Sequence, residues 1–141
     1  MIPLYAQNLD YSKFLVLAVD DIPLNLLLVQ KMLSRFNFRL KTAANGQQAL
    51  DAVAQEKPDL ILLDLLMPVM DGFEVIRRLR ADPATADIQI VILSALNSNE
   101  DVVKGFNEGA NDFIMKPIIM EKLLTCVITQ LQLAEAKSAS K

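Results

Sequence analysis

Asp64 closes an apolar run, Leu60-Ile61-Leu62-Leu63, and is followed by Leu65-Leu66-Met67-Pro68. A carboxylate so placed stands at the C-terminal edge of a buried strand, where open α/β sheets locate their chemistry. Asp20 and Asp21 end an earlier run, Phe14-Leu15-Val16-Leu17-Ala18-Val19, in the same way. Ser94 follows Ile90-Val91-Ile92-Leu93, and Lys116 follows Phe113-Ile114-Met115. If these runs are parallel strands of one sheet, a single edge gathers three acids, a hydroxyl and an ammonium. Acids that close repel one another by several kcal/mol unless a cation intervenes, so a metal site is expected. An all-oxygen donor set suits Mg2+. Taken singly, each residue has an ordinary use: Asp20 and Asp21 as a helix cap before Pro23, Ser94 as a partner for loop amides, Lys116 as a solvated charge. Together at the ends of four runs they indicate one site.

The segments between these runs read as helices. Apolar residues recur at Leu24, Leu28, Met32 and Phe36, a helical stripe that starts just after Pro23. A short strand is expected over 38–43, then a turn at Asn45-Gly46 and a helix over 47–57. Residues 67–72 read as a loop and 73–81 as a helix stopped by Asp82-Pro83. Asn97-Ser98-Asn99 opens a helix over 100–108 that Gly109 ends, and the last helix spans 118 to about 136. Five strands alternating with helices predict a parallel sheet covered on both faces. The expected organisation is an extension at 1–13, one domain at 14–133, and a tail or linker start at 134–141.

Composition excludes several classes. The chain has 141 residues, 52% hydrophobic and 22% charged, which is ordinary for a globular domain. A net charge of −3 with no basic patch argues against direct nucleic-acid or membrane-surface binding. No apolar stretch approaches the ~18 residues of a spanning helix, and 1–13 lacks a signal-peptide pattern. The single cysteine, Cys126, forms no internal disulfide and suits a cytoplasmic location. The absence of histidine removes the commonest zinc ligand and general base.

Val19-Asp20-Asp21 with Asn25, Ala44-Asn45-Gly46 with Ala49-Leu50, and Pro58-Asp59 running to Asp64 resemble the bacterial response-regulator receiver domain. So do Met67-Pro68-Val69-Met70-Asp71-Gly72, Ile92-Leu93-Ser94-Ala95, Gly109-Ala110-Asn111-Asp112-Phe113 and Lys116-Pro117. The resemblance covers about 14–133, in order and at the family's spacing. It implies a CheY-like, flavodoxin-like (βα)5 three-layer sandwich with strand order 2-1-3-4-5. It also implies phosphorylation of Asp64 by a histidine kinase or phosphotransfer protein. Asp20, Asp21, Asp64 and the Leu66 carbonyl would hold Mg2+, Asp20 mainly through water. Ser94 and Lys116 would contact the phosphoryl group, and Ser94 with Phe113 would form the switch.

The resemblance further implies that the first helix, apolar also at Leu26, Leu27 and Val29, docks the kinase. The last helix, with Ile119, Leu123, Leu131 and Leu133, is the expected surface for a homodimer or a linker. The position that carries a dimer arginine in DNA-binding winged-helix relatives is Cys126 here, and Asp21-Ile22-Pro23-Leu24-Asn25 with Asp82-Pro83-Ala84-Thr85 resemble receivers joined to diguanylate cyclases or hybrid histidine kinases. Two alternatives use similar residues. Haloacid-dehalogenase-like phosphatases have an Asp nucleophile, but on the first strand as Asp-x-Asp, whereas here the acidic pair comes first and Leu66 stands where a second acid would. A flavin-binding domain would need Gly, Ser or Thr after the first strand to cradle a phosphate.

Overall fold

The computed structural model describes residues 10–96 and 98–139. Asn97, read from sequence as part of a helix start, lies outside the described residues, as do 1–9 of the expected extension and 140–141 of the tail. The elements run β1 (Leu15–Val19), α1 (Pro23–Leu33), β2 (Arg39–Ala43), α2 (Gly46–Gln55), β3 (Leu60–Leu63) and α3 (Gly72–Ala81). They continue through β4 (Gln89–Ser94), α4 (Asn99–Glu108), β5 (Asp112–Met115) and α5 (Met120–Ala139). All strand pairs are parallel, in the order β2-β1-β3-β4-β5, as the flavodoxin-like reading requires.

β1, β3 and β4 are buried along their whole length, which is why they read as unbroken apolar runs rather than alternating ones. Their side chains alternate between two cores. Val16, Ala18, Leu60, Leu62, Val91 and Leu93 meet α1 and α5 through Leu33, Val127 and Leu131. Leu17, Val19, Ile61, Leu63, Ile90 and Ile92 meet α2 and α3 through Val53, Phe73 and Ile76. α4 approaches this second side closely at Gly105, where an added Cβ would lie 2.7 Å from Ile92 Cδ1.

Caps define three helix starts. The side chains of Asn45, Asp71 and Ser98 accept from the N–H groups of Gln48, Glu74 and Asp101. Asn45-Gly46 is therefore a helix start rather than a free turn, and Gly46 is needed because Met70 Sδ would lie 2.9 Å from its Cβ. Gly109, at φ 118°, closes α4.

Four expectations shift. Leu24 and Leu28, assigned to the buried stripe of α1, are exposed, and Val29 and Leu33 are buried instead. Apolar residues surround this helix, so periodicity alone does not select the face that packs. In α5, Leu123 and Leu131 belong to the core, leaving Ile119 and Leu133 as the exposed members of the set read as a second surface. Residues 10–13, grouped with the extension, pack into the domain: Tyr11 is buried, its ring edge-on to Phe36 at 5.3 Å, and its N–H donates to Asn37 Oδ1 at 2.9 Å. The last helix runs on to Ala139, beyond the expected 136.

Candidate functional site

Parallel pairing in register turns sequence neighbours into spatial neighbours. Val19 pairs with Leu63, so Asp20 and Asp64 leave β1 and β3 side by side. Ser94 pairs with Met115, and the N–H of Lys116 donates to the Ser94 carbonyl at 2.8 Å. Asp64 and Ser94 are buried, as is Asp20.

One carboxylate oxygen from each of Asp20, Asp21 and Asp64 lies within 4.8 Å of the others. Lys116 Nζ stands 3.0 Å from Asp20 Oδ2 and 3.5 Å from Asp64 Oδ2, bridging two of the three acids. The remaining oxygens hold the turns: Asp20 Oδ1 accepts from the Ile22 N–H at 2.9 Å, and Asp64 Oδ1 from the Leu66 N–H at 3.3 Å. Neither Asp20 nor Asp21 caps α1, whose N-cap is Ile22 without a side-chain bond. Capping therefore does not account for the pair. Burial pushes the Asp64 carboxyl above the ordinary aspartate range; the Lys116 ammonium and the Leu66 N–H oppose that rise, and Asp20 adds to it.

Ser94 Oγ accepts from the Leu96 N–H at 3.2 Å, the loop role available to any serine, and as the last residue of β4 it stands at the acids' end of the sheet. The Phe113 ring is partly buried beside α4, 3.3 Å from where a Cβ on Gly105 would stand. Leu66, the residue whose carbonyl is the expected metal ligand, is 51% exposed through its side chain. The structure thus brings Asp20, Asp21, Asp64 and Lys116 together at one end of the sheet. Phe113 lies on the neighbouring α4–β5 flank.

Other devices carry no local sequence signal. Arg80 donates to the carbonyls of Gly109 at 3.0 Å, Ala86 at 2.9 Å and Ile88 at 2.6 Å, and to Asn111 Oδ1 at 2.9 Å. It ties α3 to the turns that lead into β4 and β5. Asp59 Oδ2 accepts from the Leu15 N–H at 2.8 Å, fixing the opposite sheet edge. Gly72 allows α3 to start against the Asp64 carbonyl, where a Cβ would come within 2.5 Å. Within the quoted Met67 to Gly72 motif, Val69 takes φ 70°, a left-handed conformation costly for a β-branched residue.

A family model described as the response regulator receiver domain matches residues 16–128. The response regulator PleD of Caulobacter vibrioides is 44% identical over 103 residues, 73% of this chain and 23% of PleD. The chain therefore spans about a quarter of that relative's length. Among solved structures, chemotaxis protein CheY4 of Vibrio cholerae superposes with a TM-score of 0.77 at 32% identity, over 82% of this chain and 97% of that one. The Mn(2+)-bound form of response regulator Rcp1 gives a TM-score of 0.71 at 27% identity, over 81% and 88%.

Proposed function

The chain belongs to the response-regulator receiver family of two-component signalling, and from that premise we propose that Asp64 is its phosphoacceptor. The observation that supports this reading is a buried Asp64 with Asp20 and Asp21 oxygens within 4.8 Å and the Lys116 ammonium at 3.5 Å. An Asp64 oxygen attacks the phosphorus of a donor phosphohistidine, the P–N bond breaks, and the departing imidazole keeps the electron pair. Lys116 gives up part of its contact with Asp64 to a phosphoryl oxygen, and Ser94 turns its hydroxyl from the Leu96 amide to another.

The three carboxylates form an oxygen donor set that fits Mg2+, and the Mn(2+)-bound relative accords with a divalent ion here. Asp21, Asp64 and the Leu66 carbonyl would hold it, with Asp20 acting through water. When bound, it supplies positive charge to the transferring phosphoryl group. The donor is a histidine kinase or phosphotransfer protein that docks on α1, where Leu24, Leu27 and Leu28 are exposed beside the acids. The surface of Leu133 on α5 and Ile119 just before it is the candidate contact for a second copy. As Ser94 moves toward the phosphoryl group, Phe113 turns into the space it leaves and reshapes the α4–β5–α5 face.

Acetyl phosphate with Mg2+ should label the protein once, on Asp64, and Asp64→Asn should carry no label. Label retained in that variant overturns the assignment. Sustained turnover of p-nitrophenyl phosphate would instead favour the phosphatase chemistry, against the family match.

A further inference from the structure

A cavity of about 270 Å3 lies between α1 and the segment that joins β5 to α5, directly behind the Asp20–Lys116 pair. Leu28, Val29, Met32, Leu93, Pro117 and Ile118 form its apolar wall, with Leu28 at the exposed rim. The polar residues that line it are Asp20, Asn25 and Lys116. We propose that this cavity binds a small neutral ring compound bearing one hydrogen-bonding group, and that its occupancy is coupled to the chemistry at Asp64 through Lys116 and Asp20.

Size sets the class. Apolar cavities of about 150 Å3 stay dry and admit a benzene-sized molecule, and drug-sized ligands need about 300 Å3 or more. A cavity between these limits takes one ring with a short substituent. Charge then narrows the choice. An anion would meet Asp20, with Asp21 and Asp64 oxygens within 4.8 Å of it, and Lys116 is already held between two of these acids. A cation would leave water for a wall of six apolar side chains. A neutral molecule avoids both costs. Among the described residues the Asn25 carboxamide has no hydrogen-bond partner, so it offers a donor and an acceptor to the single polar group. Met32 supplies an unbranched, adaptable wall.

The coupling follows from shared residues. Lys116 and Asp20 line the cavity and also form the acid–ammonium cluster, so a ligand packed on the Lys116 stem resists any shift of its ammonium. Linkage is reciprocal: whatever phosphorylation does to ligand affinity, the ligand does to phosphorylation. The coupling rests on Asp64 being the phosphoacceptor; binding itself does not.

The test is an NMR titration of the 15N-labelled protein with phenol, benzoate and benzylamine. Phenol should give saturable shifts at the amides of residues 25–32 and 116 and 118, with benzoate and benzylamine about tenfold weaker or worse. Val29→Phe, which places a ring in the cavity, should abolish the phenol shifts while the spectrum stays dispersed. Met32→Ala, which widens it, should shift preference from phenol toward 2-naphthol. Absence of saturable shifts in the wild type, equal binding of all three probes, or phenol shifts that survive Val29→Phe in folded protein overturns the site. If phenol binds with the same affinity before and after labelling by acetyl phosphate, the site stands and the coupling falls. If Asp64 takes no label at all, the phosphoacceptor reading fails while the binding result is unaffected.

Discussion

Gly72→Ala is the substitution that most directly links packing to the chemistry of this site. A Cβ at residue 72 would sit 2.5 Å from the Asp64 carbonyl oxygen and 2.9 Å from Leu65 Cα, where ordinary contact begins at 3.4 Å. Both near atoms are backbone, so no side-chain rotation relieves the clash; α3 and the β3–α3 loop must part by about 1 Å. The Gly72 N–H, which donates to the Leu65 carbonyl at 3.0 Å, is strained by that movement. Two effects oppose. Alanine is favoured over glycine inside a helix by about 1 kcal/mol, and by less in the first turn. Overpacking against rigid neighbours costs about 1–3 kcal/mol. The clash therefore wins, with a net loss of roughly 1–2 kcal/mol of stability. The effect on function should be larger, because the displaced carbonyl belongs to Asp64 itself. A reacting group misplaced by about 1 Å can cost roughly a hundred-fold in rate. Urea unfolding measures the first quantity, and the initial rate of labelling by acetyl phosphate at saturating Mg2+ measures the second. A variant within about 0.3 kcal/mol of wild type that labels at the wild-type rate would show that α3 yields without moving Asp64, and that the clash has no consequence for the site.

Three further outcomes follow from single features. Leu66 and Leu96 stand two residues beyond Asp64 and Ser94, where polar side chains could orient an attacking water; Leu66→Asn with Leu96→Glu should speed loss of the phosphoryl group roughly five-fold per hydrogen bond restored, read as the decay of labelled protein, with Mg2+ dependence unchanged. Arg80→Met keeps the alkyl stem but removes every donor to Gly109, Ala86, Ile88 and Asn111, and should lower the urea-derived stability by about 2–3 kcal/mol; a loss under about 0.5 kcal/mol would mean that water replaces the guanidinium. Burial, with Asp112 alongside, pushes the Cys126 thiol up to about 12, so at pH 8 it holds roughly a thousand-fold less thiolate than an ordinary cysteine and should resist iodoacetamide until urea unfolds the chain. Because that value is raised on folding, the folded chain holds the proton longer. The contribution is complete below the unfolded thiol's range and is lost as pH rises from about 9 toward 12, a decline that Cys126→Ser should reduce.

The residues at the strand ends were legible in the sequence because buried parallel strands appear as unbroken apolar runs, and the first polar residue after each run marks the edge. The runs ending at Asp64 and Ser94 fall on the observed β3 and β4, and Asp20 lies one residue past β1. The helix start at Ser98 and the stop at Gly109 are local events, decided within four residues by capping and by one backbone angle, and the cap at Asp71 is equally local although 67–72 read as a loop. Other features depend on residues far apart in the chain. Which face of α1 is buried was not encoded by periodicity, since Leu24, Leu27 and Leu28 match Val29 and Leu33 in apolar character. The sheet chose Val29 and Leu33 by contact with α5. Arg80 meets Gly109 across 29 positions, and buried Gln89 meets buried Gln130 across 41, so no short window reveals either bond. The same holds for the cavity behind Lys116, whose walls come from α1, β4 and the β5–α5 segment. Sequence alone determined the strand-end residue types and the periodicities that order the elements, because these follow from nearest-neighbour chemistry along the chain. Only tertiary structure decided which acids lie within 4.8 Å of one another, and that Lys116 spans two of them, because such distances arise from in-register pairing of strands that are distant in sequence.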